Sequence, residues 1–151
     1  RRLADELGVP VFLSSLLQIP FILSTLGKDA KVGILTADST SLDETLLAAV
    51  GVTEGDRLVI KGLQDQPHFA SFAIEETGLL DQAAVAAEVV TAGQRLVAGD
   101  ASVQALLLEC SLLPPYAAAL QHTLGMPVFD YITMINFVFS AVVKERYTGF
   151  M

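Results

Sequence analysis

Leu106-Leu107-Leu108-Glu109-Cys110-Ser111-Leu112-Leu113-Pro114-Pro115-Tyr116 sets the only cysteine of the chain between an apolar run and a pair of prolines. A short apolar run bounded in this way reads as a buried strand. Two prolines suit the first turn of a helix, where the N–H groups they lack have no intrahelical partner. Cys110 is therefore expected at the carboxyl end of a strand, facing the positive end of a helix, a field that lowers the pKa of a thiol. Ligands of open α/β sheets bind along that edge. A second reading stands beside it on the residues alone, because a lone cysteine also serves as a small buried hydrophobe.

Outward from this junction, strand-like and helix-like segments alternate. Arg1–Leu7 reads as the end of a helix capped by Gly8, Val9–Leu13 as a strand and Pro20–Leu26 as a helix closed by Gly27. Lys31–Thr36 is the next strand. Ser41 and Glu44 form the pattern of a capping box before the helical spacing of Leu42, Leu46, Leu47 and Val50, which Gly51 stops. Arg57–Gly62 reads as a strand. Asp81 is expected to cap a long alanine-rich helix reaching about Val97, closed by Gly99. Gln104–Glu109 and Pro127–Tyr131 are the last strands, and Thr133–Tyr147 the last helix. Strands separated by helices pair in parallel, so the fold class is α/β, a mostly parallel sheet with helices on both faces.

Composition narrows the function classes. The chain has 151 residues, 52% of them hydrophobic, enough for a packed α/β core. Its formal net charge is −8 and no basic run occurs, so the footprint that nucleic-acid binding requires is missing. One cysteine cannot form an intramolecular disulfide, and a free thiol suits a reducing, cytoplasmic setting. Gly8 to Gly27 carries no charge and is long enough to span a bilayer. Pro10, Pro20, Ser14, Ser15, Gln18, Ser24 and Thr25 interrupt it, however, and lipid satisfies none of their polar groups. Tyr131 to Val143 is too short and holds Asn136 and Ser140, while Asp5 and Glu6 spoil a secretory leader. A soluble chain that does not enter a membrane is expected.

Few other residues carry chemistry. His68 follows Pro67 in what reads as a loop, and His122 lies on the solvated face of the helix after Cys110; two separated histidines and one cysteine lack metal-ligand spacing. Gly51-Val52-Thr53-Glu54-Gly55 lacks the ending of a phosphate cradle. Strand alternation turns Glu109 away from Cys110, toward a polar contact of its own. Met134, Phe137, Val138 and Val142 form a stripe that faces the core or covers an exposed sheet. Hydroxyls gather at strand ends, namely Ser14, Ser15, Thr36, Thr40 and Ser111. Each suits a cap or a turn, and together they would line one sheet edge where hydroxyls and N–H groups hold a carboxylate. Finally, Leu7-Gly8-Val9-Pro10-Val11-Phe12 nearly repeats as Leu124-Gly125-Met126-Pro127-Val128-Phe129, a helix end followed by a strand start.

Leu108 to Ala117 resembles the second-cysteine motif of the aspartate/glutamate/hydantoin racemase superfamily. Lys31-Val32-Gly33-Ile34-Leu35-Thr36-Ala37 is similar to the strand and loop that open the second half of that family, and Gly125 to Asp130 to its closing strand. The resemblance implies a pseudo-symmetric fold of two halves, with residues 1–27 as the tail of the first half, 28–126 as the second half carrying Cys110, and 127–151 as closing strand and helix. It implies a cofactor-independent racemase of an amino acid or related small carboxylate, in which two cysteines exchange protons with opposite faces of the α-carbon. Cys110 would be the second of the pair, with Ser111, Thr40, Thr36 and Ser14 contacting substrate and no metal involved. Ser111-Leu112-Leu113 departs from the peptidoglycan-type glutamate racemases, which place a histidine soon after the cysteine. The chain would then be a C-terminal fragment lacking the first cysteine. The repeat places that cysteine roughly seven or eight residues before Arg1. Such a fragment is expected to be inactive alone and to self-associate through uncovered apolar faces. Two alternatives remain, a single-cysteine enzyme of the arylmalonate decarboxylase type and a non-catalytic α/β ligand-binding domain.

Overall fold

Four parallel strands in the order β2-β1-β3-β4 organise the computed structural model, which describes residues 2–77 and 79–149. They are β1 (Lys31–Thr36), β2 (Leu58–Gly62), β3 (Val103–Glu109) and the two-residue β4 (Val128–Phe129). The helices are α1 (Arg2–Leu7), α2 (Ile19–Thr25), α3 (Glu44–Ala49), α4 (Pro67–Ala73), α5 (Gln82–Gly99), α6 (Ala117–Leu124) and α7 (Tyr131–Val142). Single 3-10 turns stand at Ser15–Gln18, Ser39–Ser41, Gly55–Arg57 and Pro114–Tyr116. The α/β class with helices on both faces of a parallel sheet is the architecture expected, of the Asp/Glu racemase-like kind.

Period-two alternation sorts the strand side chains into two cores. Leu35, Leu106 and Leu108 pack with Val85, Val89 and Leu96 of α5 and Leu120 of α6. Val32, Ile34, Ala105 and Leu107 point the other way, onto Ile19, Ile22 and Leu23 of α2 and Leu47 of α3. Burial on both faces explains why β1 and β3 read as continuous apolar runs. Gly33, in the middle of β1, leaves the room that this packing uses: a Cβ there would lie 2.6 Å from methyl carbons of both Leu106 and Leu96.

Caps were the finer test of the sequence. Asp81 accepts from the Ala84 N–H and starts α5 as expected. The capping box of Ser41 and Glu44 does not form. Asp43 takes the cap, accepting from Leu46 N–H at 2.7 Å, because Ser41 belongs to the preceding 3-10 turn that Asp38 caps. The two near-repeats agree at their helix ends, where Gly8 and Gly125 both have φ +65° and donate back four residues at 2.9 Å. They part at the strand. Val128 and Phe129 pair with Leu106 and Leu107, whereas Val9–Leu13 is irregular and unpaired, with Val9, Phe12 and Leu13 exposed. An extended segment becomes a strand only where a neighbour offers a ladder.

Three further expectations change. His68 begins a helix instead of lying in a loop, and Glu88 of α5 accepts from the backbone N–H groups of His68 and Phe69, satisfying the first donors of α4. Helix α7 ends at Val142, five residues short of Tyr147, and of its apolar stripe only Met134 is buried. Last, β4 stops at Phe129, since Asp130 turns to cap α7 through Thr133 N–H and Oγ1 at 2.7 and 2.9 Å.

Candidate active site

At the carboxyl edge of the sheet the ends of β1 and β3 are tied together. Thr36, the last residue of β1 and buried, donates from Oγ1 to the Glu109 carbonyl at 3.1 Å. One residue on, Cys110 is partly buried and packs against the core beneath α5 and α6. Its thiol is pushed up, by burial first and also by the negative field of Glu109, while the Leu112 N–H pulls the other way. The depressed thiol expected from the following helix is therefore not found. Pro114–Tyr116 forms a 3-10 turn and α6 begins only at Ala117, so no α-helical N-terminus opens directly on the sulfur.

Glu109 makes the polar contact that alternation implied, and the contact is the most organised feature of this edge. Ser14 Oγ donates to its Oε1 at 2.9 Å, and Ser15 Oγ lies in hydrogen-bonding contact with Oε2 and 3.0 Å from the Leu108 carbonyl. Both serines come from the turn that opens at Ser14, whose hydroxyl also accepts from Leu16 N–H. The segment expected as a strand thus serves as a strap, carrying two hydroxyls across to the end of β3. Tyr131, the first residue of α7, joins it as well: its hydroxyl donates to the Leu13 carbonyl at 3.4 Å. Its phenol is pushed up by burial first, then by Glu109, with a smaller push from Cys110.

Of the candidate residues, the structure brings Cys110, Thr36 and Ser14 together around Glu109. Ser111 follows the cysteine on the exposed surface. Thr40 lies on the loop after β1, exposed, its N–H and hydroxyl both given to Asp38 at 2.9 and 2.8 Å; Gln64 holds that loop through Ser39. His122 is exposed on α6, and the His68 ring, in the first turn of α4, pairs with Glu88 at 2.8 Å. Ser15 was one of the strand-end hydroxyls, though not one of the residues singled out to contact substrate, and Glu109 and Tyr131 were not candidates. Tyr131 closed the segment expected as the last strand, so the strand-end rule that selected the hydroxyls applied to it as well; in the structure it opens α7 instead.

Among the described residues no cluster of His, Cys, Asp or Glu is arranged to hold a metal ion, and no helix is long and apolar enough to cross a membrane. The chain matches no protein-family model, and no solved structure matches it significantly. Among curated proteins it is 35% identical over 139 residues, 88% of its own length, to dimethylsulfoniopropionate lyase 5 of Emiliania huxleyi. It is 33% identical over 148 residues to dimethylsulfoniopropionate lyase 3 of the same organism and 32% identical over 144 to the dimethylsulfoniopropionate lyase of Durusdinium sp. clade D, each match covering 93% of the chain. The chain spans 27%, 38% and 47% of these relatives, less than half of each. The racemase expected from the sequence, an isomerase working with two cysteines, is thereby corrected, since the relatives are lyases. The single-cysteine alternative lies nearer. What the sheet edge and the relatives establish together is a chain with the Asp/Glu racemase-like fold whose homologues are dimethylsulfoniopropionate lyases.

Proposed function

We propose that this chain carries the base of a lyase that splits dimethylsulfoniopropionate, or a close sulfonium carboxylate, into dimethyl sulfide and acrylate. The Cys110 thiolate takes the proton on the carbon next to the carboxylate. The electron pair left behind forms the carbon–carbon double bond, and the neighbouring carbon–sulfur bond breaks with its pair going to sulfur. One zwitterion gives one neutral sulfide, one acrylate anion and one proton, held by the thiol. The first half of this reaction is the proton abstraction that the racemase resemblance implied. The second half differs: the carbanion expels a leaving group instead of accepting a proton on its other face, so no second thiol is required opposite Cys110.

Ser111 and Thr40, on the exposed rim, are proposed to contact the substrate carboxylate, where donors stabilise the charge that develops on proton loss. Thr36 and Ser14 are proposed to border the substrate while fixing the backbone and side chain of Glu109. The raised thiol suits the task, because a thiolate that is harder to form is also the stronger base. An arriving sulfonium cation favours the thiolate and offsets part of the push from burial and Glu109. The division at residues 27 and 126, action on a small carboxylate without a cofactor or nucleic acid, a cytoplasmic setting and homo-oligomerisation belong to the same proposal.

The observation that carries this reading is the likeness to the lyases over 93% of the chain, together with the placement of Cys110 at the carboxyl edge of the sheet. The test supplies dimethylsulfoniopropionate to the full-length gene product and measures dimethyl sulfide in the headspace. Cys110→Ala should lower kcat by about 10³-fold with the fold intact. Release of dimethyl sulfide at the wild-type rate by C110A, or no release from the wild type, would sink the proposal.

A further inference from the structure

We infer that Glu109 is the specificity-determining residue of this site, its carboxylate receiving the cationic end of the substrate and so restricting the site to onium carboxylates; this rests on the reading of Cys110 as the base. The argument starts from placement. Glu109 ends β3 immediately before Cys110 and is only partly buried, and each oxygen of its carboxylate takes one hydroxyl, Oε1 from Ser14 and Oε2 from Ser15, with acceptor capacity left on both. Serine hydroxyls fix a carboxylate without neutralising it. The ion pairs among the described residues are Arg2–Glu6, Lys31–Asp100, Arg57–Glu54 and His68–Glu88, and none of them involves Glu109.

A negative charge beside a catalytic base hinders that base in the free protein, since it opposes formation of the thiolate. The same charge becomes an advantage when the substrate brings a cation to it. A sulfonium spreads its charge over its methyl groups, and such cations are recognised by a carboxylate together with aromatic surface. Tyr131 brings an aromatic ring to the same edge, its hydroxyl bonded to the carbonyl of Leu13, the residue before Ser14. A substrate lying with its sulfonium toward Glu109 has its own carboxylate directed away from that charge, toward the rim hydroxyls, with the reacting carbon between the two ends.

Two ligands of equal shape isolate the charge: 3-(trimethylammonio)propanoate and its uncharged-headed isostere 4,4-dimethylpentanoate. Each is tested on the full-length protein for protection of Cys110 against alkylation, a readout independent of turnover. The ammonium ligand should protect at concentrations at least about tenfold lower than the isostere. E109Q, which keeps hydrogen-bonding capacity toward Ser14 and Ser15, should abolish that preference. It should also raise KM for dimethylsulfoniopropionate by about tenfold or more while changing kcat far less, and E109D should restore part of the loss. Equal protection by the two ligands on the wild type overturns the inference even if E109Q fails to fold. Active wild type, inactive C110A and an E109Q variant with unchanged KM and preference overturn it while leaving the lyase reading standing. Glu109-dependent protection in a protein that releases no dimethyl sulfide upholds recognition of the cation and removes the lyase reading alone.

Discussion

The Cys110 thiol, pushed up by burial and by the adjacent carboxylate, keeps its proton beyond the ordinary thiol value of 9.0. In the absence of substrate, alkylation by iodoacetamide should be slow near neutrality and still accelerating above pH 9, and E109Q should move the whole profile to lower pH. Rapid alkylation at pH 7 would show that the helix field, and not burial, governs the sulfur. The shift has a consequence for stability as well: the folded chain binds this proton more tightly than the unfolded one. Its stabilising contribution is therefore present below the unfolded pKa and disappears as pH rises through the folded value. The address of Cys110 was legible in eleven consecutive residues, because a strand end and a proline pair are local signals. Its ionisation was not, because that depends on groups brought up by other parts of the chain. Tyr131 illustrates the same point: nothing local announces that its hydroxyl meets a strap more than 110 residues away.

Among the elements, β1 is the one whose composition is most constrained. Gly33→Ala sets a methyl group against Leu106 and Leu96 in a sheet covered on both faces, and should cost about 1–3 kcal/mol, read as a lower urea midpoint at unchanged m-value. Gly55→Ala, where no atom lies within 4 Å, serves as control and should stay within about 0.5 kcal/mol of the wild type. Equal midpoints for the two variants would mean that the leucine methyls yield freely. The strands β1, β2 and β3 and the long α5 were readable from apolar runs, a capping aspartate and bounding glycines. The short helices α1 and α2 were readable too, from the glycine or proline at their ends, but α4 was not. Its seven residues make only about two turns, too short a window for helical spacing to stand out, and its N-terminus is completed by Glu88 from another helix. Whether Val9–Leu13 pairs depends on the sheet having a place for it, which no residue within the segment encodes.

For the whole molecule, much apolar surface remains in water. Phe21 and Phe137 stack with ring centroids 6.1 Å apart, yet both stay largely exposed, as do Phe139, Ile135 and Val142 along α7. Patches of this kind promote association, while a net charge of −8 opposes it until salt screens the repulsion. Sedimentation of the 151-residue chain should thus show association that grows with protein concentration and with salt, and F137S combined with F139S should weaken it. A monomer under all these conditions would contradict the expectation. The parallel class of the sheet was legible from the alternation of helices and strands, but the order of its strands was not, since pairing between distant segments leaves no local mark. That order also sets a timetable. Thr36 and Glu109 share a hydrogen bond across 73 residues, and β1 lies against β3 along its whole length. On a ribosome adding about 5–20 residues per second, β1 waits roughly 4–15 s for its second neighbour. During that interval β2 can cover one side only, and the bare edge of an apolar strand is open to any other nascent chain. The rate at which residues 37 to 109 are delivered therefore decides how much of the newly made protein reaches its own sheet before it meets another.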